Sequence, residues 1–133
     1  MAKTNLEWRG RFDNRELNEL HAEAFDHPVL DAEDWVGQVR SHSLGWVTAR
    51  EGRGLVGFVN VVWDGGVHAF ILDTMVKKEK KRQGLGTRLV KEATQHARAA
   101  GCEWLHVDFE DELHSFYCSA CGFESTSAGL IRL

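Results

Sequence analysis

The stretch Leu72–Gly101, LDTMVKKEKKRQGLGTRLVKEATQHARAAG, decides the fold. A short apolar run ends in a charged loop, the loop ends in Gly84-Leu85-Gly86, and a helix-period pattern follows. Leu85, Leu89, Val90, Ala93, Ala97 and Ala100 recur at three- and four-residue spacing, as one face of a helix requires. Gly101 is placed to stop that helix. The order is strand, phosphate-sized loop, helix N-terminus. Such a junction suits an anion, because first-turn N–H groups have no acceptor within the helix and the positive end of the dipole lies there. Glycine at 84 and 86 lets a ligand approach the backbone with no Cβ in the way. Lys77, Lys78, Lys80, Lys81 and Arg82 against Glu79 give the loop +4; the chain carries −4, so everything else carries −8. A basic loop in an acidic protein points to a negatively charged ligand.

Upstream of this unit, Leu6–Trp8 reads as a short strand. Asp13 followed by Glu16 resembles a capping box, with Leu17, Leu20, His21, Ala24 and Phe25 as the stripe of the helix behind it. His27-Pro28 ends that helix. A second helix is expected from Asp31 to about His42. Leu44–Ala49, Leu55–Trp63 and Val67–Val76 read as strands joined by the glycine turns at 51–54 and 64–66, an antiparallel meander. Downstream, Trp104–Phe109 reads as a strand parallel to Val67–Val76, because a strand–helix crossover connects them. A short helix from Glu112 to about Ala120 and a last strand at Ser127–Leu133 complete the expectation. The fold class is a mixed α/β sheet in a single domain, residues 1–133.

Composition narrows the function classes. An apolar fraction of 43% is ordinary for a globular chain. No apolar run approaches membrane-spanning length, and MAKTNLEWRGRFDNRE lacks the apolar core of a signal peptide, so a cytoplasmic protein with no membrane partner is expected. Three cysteines argue against a disulfide framework. The run 77–82 has no interleaved aromatics and the chain is acidic, so no nucleic-acid partner is expected.

The residues now carry a resemblance. Val76, then Lys81-Arg82-Gln83-Gly84-Leu85-Gly86 opening a helix, then Phe116-Tyr117 followed by Gly122-Phe123, resembles the GNAT superfamily of N-acetyltransferases, over nearly the whole chain. Lys81 stands where that family usually has Arg or Gln, which keeps the charge but not the planar fork. The spacing from Tyr117 to Gly122 is one residue longer than the commonest, so Tyr117 and Cys118 both compete for the tyrosine position. The resemblance implies acetyl transfer from acetyl-CoA to a primary amine of a small molecule or peptide. It implies a pyrophosphate on the amides of Arg82, Gln83, Gly84, Leu85, Gly86 and Thr87, with Lys81 adding charge, and a pantetheine arm along Thr74, Met75 and Val76. It also leaves a homodimer open.

The attacking amine must be deprotonated. Asp73 is the candidate base, with His68, His106, Asp108 and Glu110 as others; Tyr117 is the candidate proton donor to the leaving thiolate. Glu103, Asp108, Glu110, Asp111 and Glu112, without a Lys or Arg among them, would favour a cationic acceptor if that edge faces it. His114, Cys118 and Cys121 share zinc-compatible spacing, but a thiol-lined buried face is the better reading, and no metal is expected. A non-catalytic acyl-CoA-binding sensor or interaction module is the alternative, since it would share the loop and need neither base nor proton donor.

Overall fold

A computed structural model describes residues 3–30 and 33–133. The chain runs β1 (Thr4–Trp8), α1 (Asn14–Ala24), α2 (Trp35–His42), β2 (Ser43–Glu51), β3 (Gly54–Trp63), β4 (His68–Val76), α3 (Leu85–Ala99) and β5 (Trp104–Val107). A 3₁₀ turn at Lys78–Lys80 precedes α3; another at Asp111–Leu113 leads into a π-helical segment, Ser115–Ala120. The sheet order is β1-β2-β3-β4-β5. Each of the first three pairings is antiparallel and β4–β5 is parallel, as the crossover through α3 requires.

Both faces of the sheet are covered. On one, α1 and α2 enclose Phe12, Leu17, Leu20, Val39, Leu55, Phe58 and Met75. On the other, α3 lays Leu85, Leu89, Val90, Ala93 and Ala97 against Val47, Val59, Val61 and Ile71. Burial on both sides explains why β3 reads as a nearly unbroken apolar run. The exception inside it is Asn60, 2% exposed, whose Oδ1 accepts from the Ser43 hydroxyl at 2.5 Å. The capping box forms: Asp13 Oδ1 accepts from Glu16 N at 2.8 Å, and Glu16 Oε2 accepts from Asp13 N at 2.9 Å.

Four expectations need correction. The second helix starts at Trp35, capped by Asp34, whose Oδ1 accepts from Gly37 N; Asp31 itself lies outside the described residues. Strand β5 stops at Val107 instead of Phe109, because its partner β4 diverges there. The helix read over 112–120 is a 3₁₀ turn followed by a π-segment. Ser127–Leu133 is not a strand: it meets no ladder, and Leu130 and Ile131 are 84% and 82% exposed.

Candidate active site

The backbone of β4 breaks its own alternation. Asn60 of β3 pairs with Leu72 and Phe58 pairs with Met75, so Asp73 and Thr74 together oppose one residue, Val59. This is a β-bulge, and Asp73 takes it up at φ 56°, a left-handed conformation uncommon outside glycine. The bulge sends neighbouring side chains to opposite layers. Asp73 lies beside Asn60 and within electrostatic reach of His21 of α1, while Thr74 lies beside Tyr117 on the α3 side. The parallel ladder with β5 ends at Ile71–Val107, so among the described residues Leu72–Val76 has no strand partner on that side. The sheet is therefore splayed, with the bulge at the mouth of the slot.

The basic loop lies where β4 hands over to α3. Among the described residues, the amides of Arg82, Gln83, Gly84, Leu85, Gly86 and Thr87 make no close backbone hydrogen bond, and residues 81–84 turn only loosely into the helix; the first close helical bond is from Arg88 N to Gly84 O at 3.1 Å. Gly84 is the N-cap at φ 80°, which suits glycine. Gly86 has a different reason: a Cβ there would sit 3.1 Å from the Phe116 ring. The neighbour that needs its bare backbone is thus the protein's own aromatic ring. The charges also divide. Lys77 pairs with Glu79 at 3.7 Å, Lys78 with Asp26, and Lys80 with Glu51. Lys81 and Arg82 are exposed and have no ion pair among the described residues. They are the cations left for an anionic ligand, and Arg82, at φ 65°, is held in a strained conformation beside the unpaired amides.

Of the two residues competing for the tyrosine position, Tyr117 is the inward one. It is 6% exposed, stacks on Phe109 at 5.0 Å, and meets Phe116 and Phe123 edge-on. Burial raises its pKa, and the nearby Thr74 hydroxyl pulls it partly back. The phenol therefore keeps its proton across the physiological range. Cys118 points elsewhere, with Sγ 3.6 Å from the Ser125 hydroxyl, which also lies 3.1 Å from His114 Nε2. Cys121 faces Thr87, so the three residues with zinc-like spacing do not converge. Among the described residues no three His, Cys, Asp or Glu side chains are grouped to hold a metal.

Thr74 Oγ1 is buried, and among the described residues it makes no closed hydrogen bond. An orphaned buried hydroxyl is costly. Here it lies at the bulge, next to a protonated phenol and an open strand edge, where a polar ligand atom would satisfy it.

The acetyltransferase (GNAT) family profile matches residues 14–123. The chain belongs to that family. A relative, glucosamine 6-phosphate N-acetyltransferase 1 of Oryza sativa subsp. japonica, is 32% identical over 123 residues, covering 90% of this chain and 64% of its own length. The chain thus spans just under two thirds of that curated relative. A solved GNAT-family acetyltransferase from Streptococcus pneumoniae superposes with a TM-score of 0.80 at 24% identity, over 98% of both chains. The aminoglycoside N-acetyltransferase AAC(6')-Iy, solved with CoA, superposes with a TM-score of 0.76 at 15% identity, over 100% of this chain and 95% of its own. At these identities the structural likenesses establish the fold.

The expected site residues of this GNAT chain fall into two groups. Asp73, Thr74, Met75, Val76 and Tyr117 surround the bulge, and Lys81–Thr87 form the loop beyond it. His68 and His106 do not join them. They pair with each other, Nδ1 to Nε2 at 2.9 Å, at the start of β4, where Phe70 stacks on His106. Asp108 and Glu110 are exposed beyond β5. Burial pushes the Asp73 carboxyl up, with His21 and Asn60 pulling it back. His21 and Asn60, which face Asp73, are site residues that the sequence does not single out. A polar residue inside the GLVGFVNVVW run was the one available signal for Asn60.

Proposed function

We propose that this GNAT chain is an acetyl-CoA-dependent N-acetyltransferase acting on a primary amine. The observation that carries it is the row of amides at 82–87 with no close backbone hydrogen bond, one strand end away from a bulge whose Thr74 lies beside Tyr117. The amides and the free cations Lys81 and Arg82 hold the diphosphate. The open edge of Thr74, Met75 and Val76 pairs with the pantetheine amides. The backbone at the bulge polarises the thioester carbonyl. The amine reaches that carbonyl from the α1–α2 side, where Asp73 lies. Its lone pair forms the new N–C bond, the C–S bond breaks, the Tyr117 hydroxyl gives its proton to the departing sulfur, and the nitrogen, cationic after attack, loses one N–H proton, which restores the phenol.

Small sugar amines and aminoglycosides are the acceptor classes named by its relatives, and the acidic residues just beyond β5, Asp108, Glu110, Asp111 and Glu112, support a cationic amine. No described helix is long and apolar enough to cross a membrane, and a cytoplasmic protein without nucleic-acid or membrane partner fits the acidic balance. The exposed Leu130 and Ile131 and the unpaired edge of β5, with Trp104 63% exposed, favour a second copy of the chain as partner.

The test is thiol release from acetyl-CoA across a panel of amines that includes glucosamine 6-phosphate and sisomicin. Release that depends on one of the amines supports the reading. CoA binding with no release from any amine assigns the chain to the sensor alternative instead. Gly84→Val probes the loop separately. A β-branched residue at φ 80° costs about 1–3 kcal/mol. If the loop distorts to relieve it, the Kd for CoA rises by roughly ten- to a hundredfold. Calorimetry showing unchanged CoA affinity with a native fold would separate the loop from binding.

A further inference from the structure

We propose that His21, oriented by His27, removes the proton from the acceptor ammonium; this deepens the acetyltransferase reading and rests on it. His21 sits on α1, whose C-terminal half packs toward β4, and its ring lies against Phe25 at 4.7 Å and Trp35 at 5.2 Å. Its Nδ1 is 2.6 Å from His27 Nε2, and His27 Nδ1 is 2.6 Å from the Pro28 carbonyl oxygen.

That chain of contacts fixes which nitrogen carries each proton. A carbonyl oxygen can only accept, so His27 Nδ1 bears hydrogen. In the neutral ring His27 Nε2 is then an acceptor, and His21 Nδ1 must be the donor to it. His21 Nε2 is left with its lone pair. A backbone carbonyl thus sets, through two rings, the form in which His21 is a base at its outer nitrogen. The Trp35 indole is in turn held by its Nε1–H, which donates to Asn18 Oδ1 at 2.7 Å, so the wall behind His21 is itself fixed.

The charged neighbours suit the task. The groups that face His21 are His27 and Glu33 from the connection around α2 and Asp73 from β4. Burial and His27 hold the His21 pKa below its usual value, while Asp73 and Glu33 pull it back up. His21 is therefore largely neutral at pH 7 and ready to accept. Once it does, the Asp73 carboxylate stabilises the imidazolium. Asp73 is itself backed by a chain: the Ser43 hydroxyl donates to Asn60 Oδ1, which leaves the Asn60 amide hydrogens for the carboxylate side.

The step balances. The ammonium N–H bond breaks and His21 Nε2 gains that proton. The Nδ1–H of His21 passes to His27 Nε2, so His21 returns to neutral and the positive charge rests on His27, nearer solvent. The freed amine lone pair attacks the thioester carbonyl. Asp73 becomes a positioning residue in this scheme, and the proton acceptor lies one layer out, on α1.

Nitrogen-15 NMR of the wild-type protein tests the arrangement without any substrate. Both His21 and His27 are expected in the Nδ1–H form, the rarer one for free imidazoles in water; either ring in the Nε2–H form would overturn the relay. Kinetics then test its role, using whichever panel amine gives the fastest thiol release. His21→Gln is expected to lower kcat/KM about 100-fold at pH 7. The deficit shrinks as pH rises toward the pKa of the amine, which then sheds its own proton. His27→Phe keeps a ring in place, and is expected to lower kcat/KM with the same pH trend. A His21→Gln variant with undiminished release at pH 7, or a deficit that does not change with pH, would overturn the relay and leave the acetyltransferase reading intact. Absence of release by the wild type would overturn both.

Discussion

Tyr117→Phe lowers kcat by about 10³-fold while leaving CoA affinity unchanged. The substitution removes one oxygen from a ring that stays packed between Phe109, Phe116 and Phe123. The core loses almost no volume, so the fold persists. In the proposed mechanism, what disappears is the proton that the departing sulfur needs. Because burial holds the Tyr117 pKa up, the wild-type phenol remains protonated well above neutral pH, and a loss of rate from its ionisation is expected only at the alkaline end. Burst kinetics on the variant, alongside calorimetry with CoA, check this. A kcat within about threefold of wild type would mean that the thiolate leaves unaided or that another donor serves it.

Phe58→Ala destabilises the protein by about 3–5 kcal/mol, a large share of the roughly 5–15 kcal/mol that holds a domain folded. Phe58 is fully buried in the layer between the sheet and α1–α2, edge-on to Phe12 at 5.2 Å and opposite Met75. The melting temperature should fall by roughly 10–20 °C, measured by circular dichroism. A fall of only a degree or two would show that this layer is not the core that positions α1 over Asp73.

The two layers also explain what the amino-acid sequence could and could not convey. The α3 stripe and the meander were readable because each has a strict period and a glycine stop: Leu85 to Ala97 at helical spacing, and the turns at 51–54 and 64–66. The capping box at Asp13 and Glu16 is a local rule and it held. The bulge was not readable. Asp73 at φ 56° is imposed by tertiary pairing with β3 and has no residue signature of its own. The same holds for the ion pairs. Five cations within six residues look alike in sequence, yet Lys78 and Lys80 are paired with Asp26 and Glu51, which lie far away along the chain. The last strand failed for the opposite reason. Its composition permits a strand, but a strand needs a neighbour, and residues 127–133 pair with none among the described residues.

His21 shows the same limit at the site itself. On paper it is one more position in the α1 stripe. Its use as a base depends on His27 and the Pro28 carbonyl folding back on it, a contact across a turn that contains the chain's single proline.

The account stands or falls with the six amides between β4 and α3. A two-dimensional amide NMR titration of the protein with CoA at low salt tests them directly. The backbone signals of residues 82–87 should shift together and saturate with one binding curve, joined by Thr74, Met75 and Val76. Millimolar CoA that leaves those signals in place, or that moves a different surface, would contradict it.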